Sequence, residues 1–282
     1  MNILTFDIEE WFHLLDLEET LPPSKWNSLE PRIERLVDQI LKELDDRGIK
    51  ATFLIVGWIA HKYPKIVKDI SNAGHEIGSH TNMHQVIFKM DREKAFEDIK
   101  KSITVLEDLC GEKITTFRAP GFSIIESNKY IFETLVELGI ENDLSVFPIK
   151  GSHGGFPQLP INQVFKIKMN DKSLKEFPMS CSLLFGKRMV VTGGGYFRLF
   201  PKALIKKLIA ESSYTMTYFH PRDFDKEQPK IENLGLIRKF KTYHGIETSW
   251  DKFQFLLDHF YFINVNEASS KINWNEVKSI TL

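Results

Sequence analysis

The residues whose types and spacing could do chemistry begin at the first strand-like run. Thr5-Phe6-Asp7-Ile8-Glu9-Glu10 sets carboxylates where an apolar run ends, and the C-terminal ends of strands are where α/β enzymes build their sites. The period of two in an extended chain puts Asp7 and Glu9 on one face and Glu10 on the other, so the first two can converge on one ion or substrate. His80 and His84, in Ser79-His80-Thr81-Asn82-Met83-His84, are four apart. On a helical turn that spacing stacks two imidazoles on one face, a pair suited to a zinc-type ion. Two histidines and one carboxylate leave positions open for water and a substrate oxygen, as a hydrolytic site needs and a closed structural site does not. An ion so held lowers the pKa of water, and Asp7 beside Glu9 is the carboxylate placed to take the proton. His75, between Gly74 and the apolar Ile77, reads as structural.

Two later segments add supporting groups at the same kind of position. In Phe117-Arg118-Ala119-Pro120-Gly121-Phe122, Arg118 can hold the base carboxylate ionised by a bidentate contact. In Thr217-Tyr218-Phe219-His220-Pro221, a protonated His220 can give its proton to a leaving amine.

The elements that must position these residues follow a βα rhythm. Strand-like runs at Ile3 to Ile8, Ala51 to Val56, His75 to Gly78 and Thr115 to Phe117 alternate with helical spacing at Ile33 to Leu44, Ile66 to Ile70, Arg92 to Leu109 and Tyr130 to Leu138. Gly139 closes the last of these helices. Later strands are expected at Tyr214 to Phe219 and Phe260 to Val265, with helices at Lys202 to Ala210 and Trp250 to Asp258 before them. Repeated βα units imply an α/β fold with a mainly parallel sheet, open or closed into a barrel. From about 147 to 195 the rhythm breaks at Pro148, Gly151, Gly154, Gly155, Pro157, Pro160 and Pro178. This segment reads as a loop-rich insertion of loops and short strands into a single catalytic domain spanning 1–282, and as a wall of the pocket.

Composition narrows the function. The 282 residues are 42% hydrophobic and 27% charged with a formal net charge of -1, a folded enzyme's composition without the basic footprint of nucleic-acid binding. Cys110 and Cys181 are far apart and lack CxxC spacing, so two buried free thiols are expected rather than a disulfide or a cysteine zinc site. No apolar run approaches a membrane span. The start, Met1-Asn2-Ile3-Leu4-Thr5-Phe6-Asp7, has neither a basic region nor a long apolar one, and the expectation is a cytoplasmic protein.

Taken in order, these segments resemble the polysaccharide deacetylases, the carbohydrate esterases that share the NodB homology domain, over roughly residues 3 to 145 and again near His220. The resemblance implies a distorted (β/α) barrel, one divalent ion, most often zinc, and hydrolysis of an N-acetyl group on an amino sugar. Thr5-Phe6-Asp7 corresponds to the motif of the catalytic base, and Ser79-His80 through His84 to the metal-binding histidines. Arg118-Ala119-Pro120 corresponds to the motif whose arginine orients the base, Asp143-Leu144-Ser145 to the one whose aspartate supports the acid, and Tyr218-Phe219-His220 to the acid itself. The common motif has its metal-binding aspartate directly after the base, where this chain has Ile8. The spacing Asp7-Ile8-Glu9 looks like the subgroup with the metal carboxylate two residues on, which assigns Glu9 and keeps Glu10 as the weaker option. Tyr218 stands where the family usually has leucine, a change expected to alter pocket packing rather than chemistry.

Gly193-Gly194-Gly195-Tyr196-Phe197-Arg198, with Tyr218-Phe219-His220-Pro221-Arg222-Asp223-Phe224-Asp225, looks like deacetylases of exopolysaccharide or lipopolysaccharide biosynthesis. The glycine run lacks the Gly-Lys-Ser/Thr ending of a P-loop, which argues against nucleotide hydrolysis. The expectation is that its backbone at Gly195 approaches a sugar, with Tyr196 or Arg198 on hydroxyls or a phosphate, and that Pro120 and Gly121 bring a backbone N–H to the developing oxyanion. The substrate class so implied is an N-acetylated amino sugar that is nucleotide-linked, lipid-linked or part of an oligosaccharide.

Overall fold

A computed structural model of the chain describes residues 1–17, 19–149, 154–169, 171–231 and 234–282. Its strands are β1 (Asn2–Ile3), β2 (Thr5–Ile8), β3 (Thr52–Ile55), β4 (Glu76–Ser79), β5 (Thr116–Phe117), β6 (Asn142–Asp143), β7 (Phe165–Met169), β8 (Lys172–Glu176), β9 (Ser182–Leu184), β10 (Lys187–Met189), β11 (Thr215–Met216) and β12 (Ser279–Thr281). From β2 to β6 the neighbours run parallel in chain order, β8 joins β6 in parallel, and β7 and β12 extend that edge. At the other edge β1 pairs with β11, and one bridge links Phe6 to Phe219.

Side chains bridge what the ladders leave open between this edge and the chain leaving β8. The Ser180 hydroxyl accepts from the Met216 N–H at 3.1 Å and donates to its carbonyl at 3.2 Å, where Thr192 Oγ1 also donates at 2.7 Å. Tyr214 Oη reaches the Pro178 carbonyl at 2.7 Å. Buried backbone groups must be paired, and here hydroxyls do what a regular ladder would do in an undistorted barrel.

Alternation along the strands sorts side chains onto two faces. Phe6, Phe53 and Ile55 pack in the larger apolar cluster against Val37, Ile40 and Leu44 of α1 (Ile33–Asp45). Leu54 belongs to a second cluster with Ile3, Leu144, Met179 and Met216. Asp7 lies in register with Leu54 and shares its face. Gly78, also in register with Leu54, leaves no room for a methyl group, since a Cβ there would meet Leu54 Cδ1 at 2.6 Å and the Thr116 carbonyl at 2.8 Å.

Helices complete the units: α2 (Gly57–Lys62), α3 (Pro64–Asn72), α4 (Arg92–Cys110), α5 (Ile131–Glu137), α6 (Gly194–Leu199), α7 (Lys202–Ala210), α8 (Leu236–Tyr243), α9 (Ser249–His259) and α10 (Val265–Lys271). The helix expected from Arg92 forms because Asp91 caps it, accepting from the Lys94 N–H at 2.8 Å, and it stops at Gly111 with φ 74°. Among the described residues no helix is long and apolar enough to cross a membrane.

Two expectations are corrected and one gains detail. The segment from 147 to 195, expected as loops and short strands, carries β7 and β8 as full members of the main sheet; its Gly151 lies outside the described residues. The strand expected at Phe260 to Val265 reduces to a single bridge, Ile3 to Ile263, since Asn264 caps α10 by accepting from the Glu267 N–H. Both thiols are free, but Cys110 is only partly buried.

Candidate active site

Asp7, at the inner face of β2, is fixed from below. Arg118, fully buried after β5, donates from Nη1 to Asp7 Oδ1 at 2.5 Å and to Thr5 Oγ1 at 2.9 Å. This leaves Asp7 Oδ2 facing two imidazoles, 4.0 Å from His80 Nε2 and 3.9 Å from His220 Nε2.

Glu9, His80 and His84 offer ligand atoms that all lie within 4.8 Å of one another, and all three residues are buried. His80 Nδ1 sits 2.7 Å from the Arg118 carbonyl, an acceptor that fixes the ring proton on Nδ1 and turns the Nε2 lone pair inward. Burial holds this imidazole down at about 4, so it stays in the neutral, ligating form at neutral pH. His84 Nε2 faces Glu9 Oε2 at 2.6 Å. Burial alone would raise the Glu9 carboxyl, but His84, His220 and Arg222 outweigh it and hold it well below the ordinary value. Two imidazole nitrogens and one carboxylate, buried and converging, fit a divalent ion of the zinc type.

The histidine pair reaches this geometry by a route the spacing did not show. Residues 80 to 86 form no helix; Thr81 and His84 adopt left-handed backbone, with φ of 62° and 51°. The turn is pinned because the Thr81 and Asn82 carbonyls accept from the Gly57 and Trp58 N–H groups, both at 2.9 Å, and Asp98 Oδ2 accepts from the Asn82 N–H at 2.8 Å.

Glu10 points away and works elsewhere. Its Oε1 accepts from the Arg32 and Ile33 N–H groups at 2.8 and 3.0 Å, capping α1, which has no local side-chain cap. His75 is structural, accepting from the Ala51 N–H at 3.2 Å.

The acid position differs from expectation in its partner. His220 Nδ1 lies 2.9 Å from Asp223 Oδ2, and Arg198 Nη1 donates to Asp223 Oδ1 at 2.5 Å. Burial would lower the His220 pKa, but Glu9 and Asp223 outweigh it and raise it. Asp143 does not support the acid: its Oδ1 accepts from Ser145 Oγ at 2.6 Å, and Ser145 Oγ accepts from the Ala119 N–H at 2.9 Å. Asp143 thus braces the Arg118-Ala119-Pro120 turn. Arg198 is likewise a buried partner of Asp223 rather than a wall of the cavity. Tyr196 stacks on Phe200, and neither it nor Gly195 lines the cavity. The neighbouring glycines serve Tyr218 instead, since a Cβ at Gly193 would meet the Tyr218 carbonyl at 2.2 Å.

A cavity of about 140 Å³ opens over Asp7, Glu9, His80, His84 and His220. Its other lining residues are His13, Leu14, Leu15, Gly121, Phe122, Tyr218, Arg222 and Arg238. Gly121 is there as expected and Pro120 is not, nor does any residue from 147 to 195 line it among those described. Asp223, three residues after His220, could have been found from spacing alone; Arg222 stood in a motif without a role, and His13 and Arg238 carried no signal.

Asp143 also lies in register with Glu176, and both are fully buried, with Asp143 Oδ2 and Glu176 Oε2 lacking partners. Burial raises both carboxyls, Glu176 the more strongly because Asp143 adds to it. A proton shared between the two free oxygens satisfies both. A folded pKa above the unfolded one contributes stability below the unfolded pKa and loses it as pH rises. Measured against Glu176→Gln, whose amide can donate to Asp143, wild type should therefore lose stability to urea by up to about 1.4 kcal/mol per pH unit from pH 5 upward until Glu176 ionises; a difference between the two that does not change with pH would refute the shared proton.

The fold is that of an α/β protein built as a distorted (β/α) barrel, shared with a Mycobacterium smegmatis protein assigned to the polysaccharide deacetylases (TM-score 0.67, 16% identity, 99% of this chain and 92% of that one). A CE4-family pseudoenzyme, BA3943 from Bacillus anthracis, shares it too (TM-score 0.52, 10% identity, 100% and 69% covered). The model of the polysaccharide deacetylase family matches residues 19–142, and similar proteins include a peptidoglycan-N-acetylglucosamine deacetylase of Bacillus cereus. That protein is 37% identical over 89 residues, 32% of this chain and 32% of its own length, so the chain spans about a third of it. Residues 144–270 match the model of a domain of unknown function, DUF3473.

Proposed function

We propose that this protein is a metal-dependent N-deacetylase acting on an N-acetylated amino sugar, an intermediate of surface-polysaccharide biosynthesis. The observation that carries the reading is the convergence of Asp7, Glu9, His80, His84 and His220 on one cavity. A shared fold alone would not, since a pseudoenzyme has it as well. The Tyr218–Asp225 stretch and the glycine run before it support the surface-polysaccharide role.

Glu9, His80 and His84 would hold the ion, which when bound polarises the acyl oxygen and acidifies an attacking water. Asp7, held and aimed by Arg118 at Oδ1, takes the water's proton at Oδ2. His220, its Nδ1 held by Asp223, presents Nε2 to the leaving nitrogen and protonates it. The Gly121 N–H, at the cavity wall, donates to the oxygen that gains charge.

The test is acetate release by zinc-loaded protein from N-acetylglucosamine oligosaccharides and from N-acetylated nucleotide sugars, with new amine measured in parallel. Acetate and amine in equal amounts, lost on chelation, are the expected result. Hydrolysis of a cyclic amide or ureide without acetate release would move the reading to another C–N bond, and ion binding without any turnover would favour a carbohydrate-binding protein.

A further inference from the structure

His13 is used by nothing described so far. It follows β2 in a turn whose N–H bonds to the Glu10 carbonyl at 3.0 Å, and it is 2% exposed. The Glu10 N–H donates to His13 Nδ1 at 3.3 Å. A backbone N–H can only donate, so Nδ1 must offer its lone pair, and the neutral ring carries its proton on Nε2. That Nε2 is buried and has no partner. The same bond excludes His13 as an ion ligand, because ligation through Nε2 with Nδ1 still accepting would require an imidazolate.

The surroundings restrict where an acceptor can come from. The ring lies against Trp26 at 4.2 Å between centroids, Phe12 at 5.0 Å, Trp58 at 5.3 Å and His84 at 5.8 Å. The carbon rings offer no oxygen, and His13 borders two cavities, a narrow one of about 60 Å³ beside Leu21, Trp26 and Gln85 and the larger one above the ion ligands; only the larger also holds Asp7, Glu9, His80 and His220. A buried donor without a partner is costly unless an arriving group accepts from it.

We propose that His13 is a further ligand-binding residue of this site, a neutral imidazole that donates from Nε2 to an acceptor oxygen of the molecule bound over Glu9, His80 and His84. That this oxygen belongs to an N-acetyl amino sugar rests on the deacetylase reading; the tautomer and the donor do not.

Histidine ¹⁵N spectra of the zinc-loaded protein test the donor directly. His13 should appear as the Nε2–H tautomer, and acetate, which carries the acyl oxygens of the product, should shift its Nε2 resonance. A proton on Nδ1, zinc on Nε2, or a spectrum that acetate leaves unmoved would overturn the proposal. His13→Phe keeps a packed ring and removes the donor, whereas the His13→Gln amide nitrogen reaches the Nε2 position. Both should bind one zinc per chain, as wild type should. The Phe variant should lose about 10-fold or more in kcat/KM, mainly through KM, and Gln should recover most of it. Unchanged kinetics in the Phe variant, or zinc lost from both variants, would also refute it. If wild type releases no acetate from any sugar, the deacetylase reading falls and the spectra still decide the role of His13.

Discussion

Asp7→Asn should bind its ion as wild type does and lose turnover by about 10²–10⁴-fold, the usual contribution of a positioned general base. The substitution is nearly isosteric, and a carboxamide oxygen in place of Oδ1 can still accept from Arg118 Nη1 and Thr5 is left in place. What disappears is the basic oxygen between His80 and His220. The candidate ligand set of Glu9, His80 and His84 does not include Asp7, so metal content by mass spectrometry should stay at that of wild type. One competing effect must be separated. Arg118 is fully buried, and removing its counter-charge costs about 3–5 kcal/mol when a buried pair is broken. Loss of stability lowers the melting temperature without lowering turnover per folded molecule, so single-turnover rates on folded protein distinguish the two. A folded, ion-bound and fully active Asp7→Asn would remove Asp7 as base.

How much of this was legible in the sequence depended on how local the cause was. Strand β2 and the face shared by Asp7 and Glu9 follow from apolar alternation, which is a property of adjacent residues. So do the amphipathic α1 and the capped α4. The convergence of Arg118 on Asp7 needs three intervening parallel pairings, between β2 and β5, and was reached only through motif order. Where sequence reasoning erred, a tertiary contact had replaced a local rule. His80 and His84 were given a helical turn by their spacing, but the loop is shaped by helix α2, whose first N–H groups take the Thr81 and Asn82 carbonyls. Asp143 was assigned to His220 by the family pattern, yet Asp223 satisfies both His220 Nδ1 and its backbone N–H, at 2.9 and 3.0 Å. In the 147–195 segment, rich in Pro and Gly, short strands were expected but not located, because β7 and β8 are each amphipathic strands of five residues bearing lysines.

His84→Ala should lose the ion itself. With one of three protein ligands gone, affinity should fall by more than the roughly 10–100-fold that follows when only a group behind a ligand is removed. His84 is the ligand to remove because its contact with Glu9 at 2.6 Å is its chief tie to the site, whereas His80 also braces the Arg118 carbonyl and its loss would disturb the base. The left-handed backbone at 84 has φ 51°, which strains alanine slightly, so His84→Asn, tolerant of that conformation, is the control for backbone effects. Both variants should bind zinc weakly in competition with a chelator and should keep the melting temperature of zinc-free wild type. His75→Phe, altering a histidine that accepts from the Ala51 N–H and packs on Phe53, should bind zinc normally. Read with Asp7→Asn, the result separates two functions packed within 4.0 Å of His80 Nε2. One variant keeps the ion and loses the proton transfer; the other loses the ion and with it any turnover. If His84→Ala retained zinc at wild-type affinity, the ion would have to sit elsewhere, and the roles given to Glu9, His80 and Asp7 would fall together.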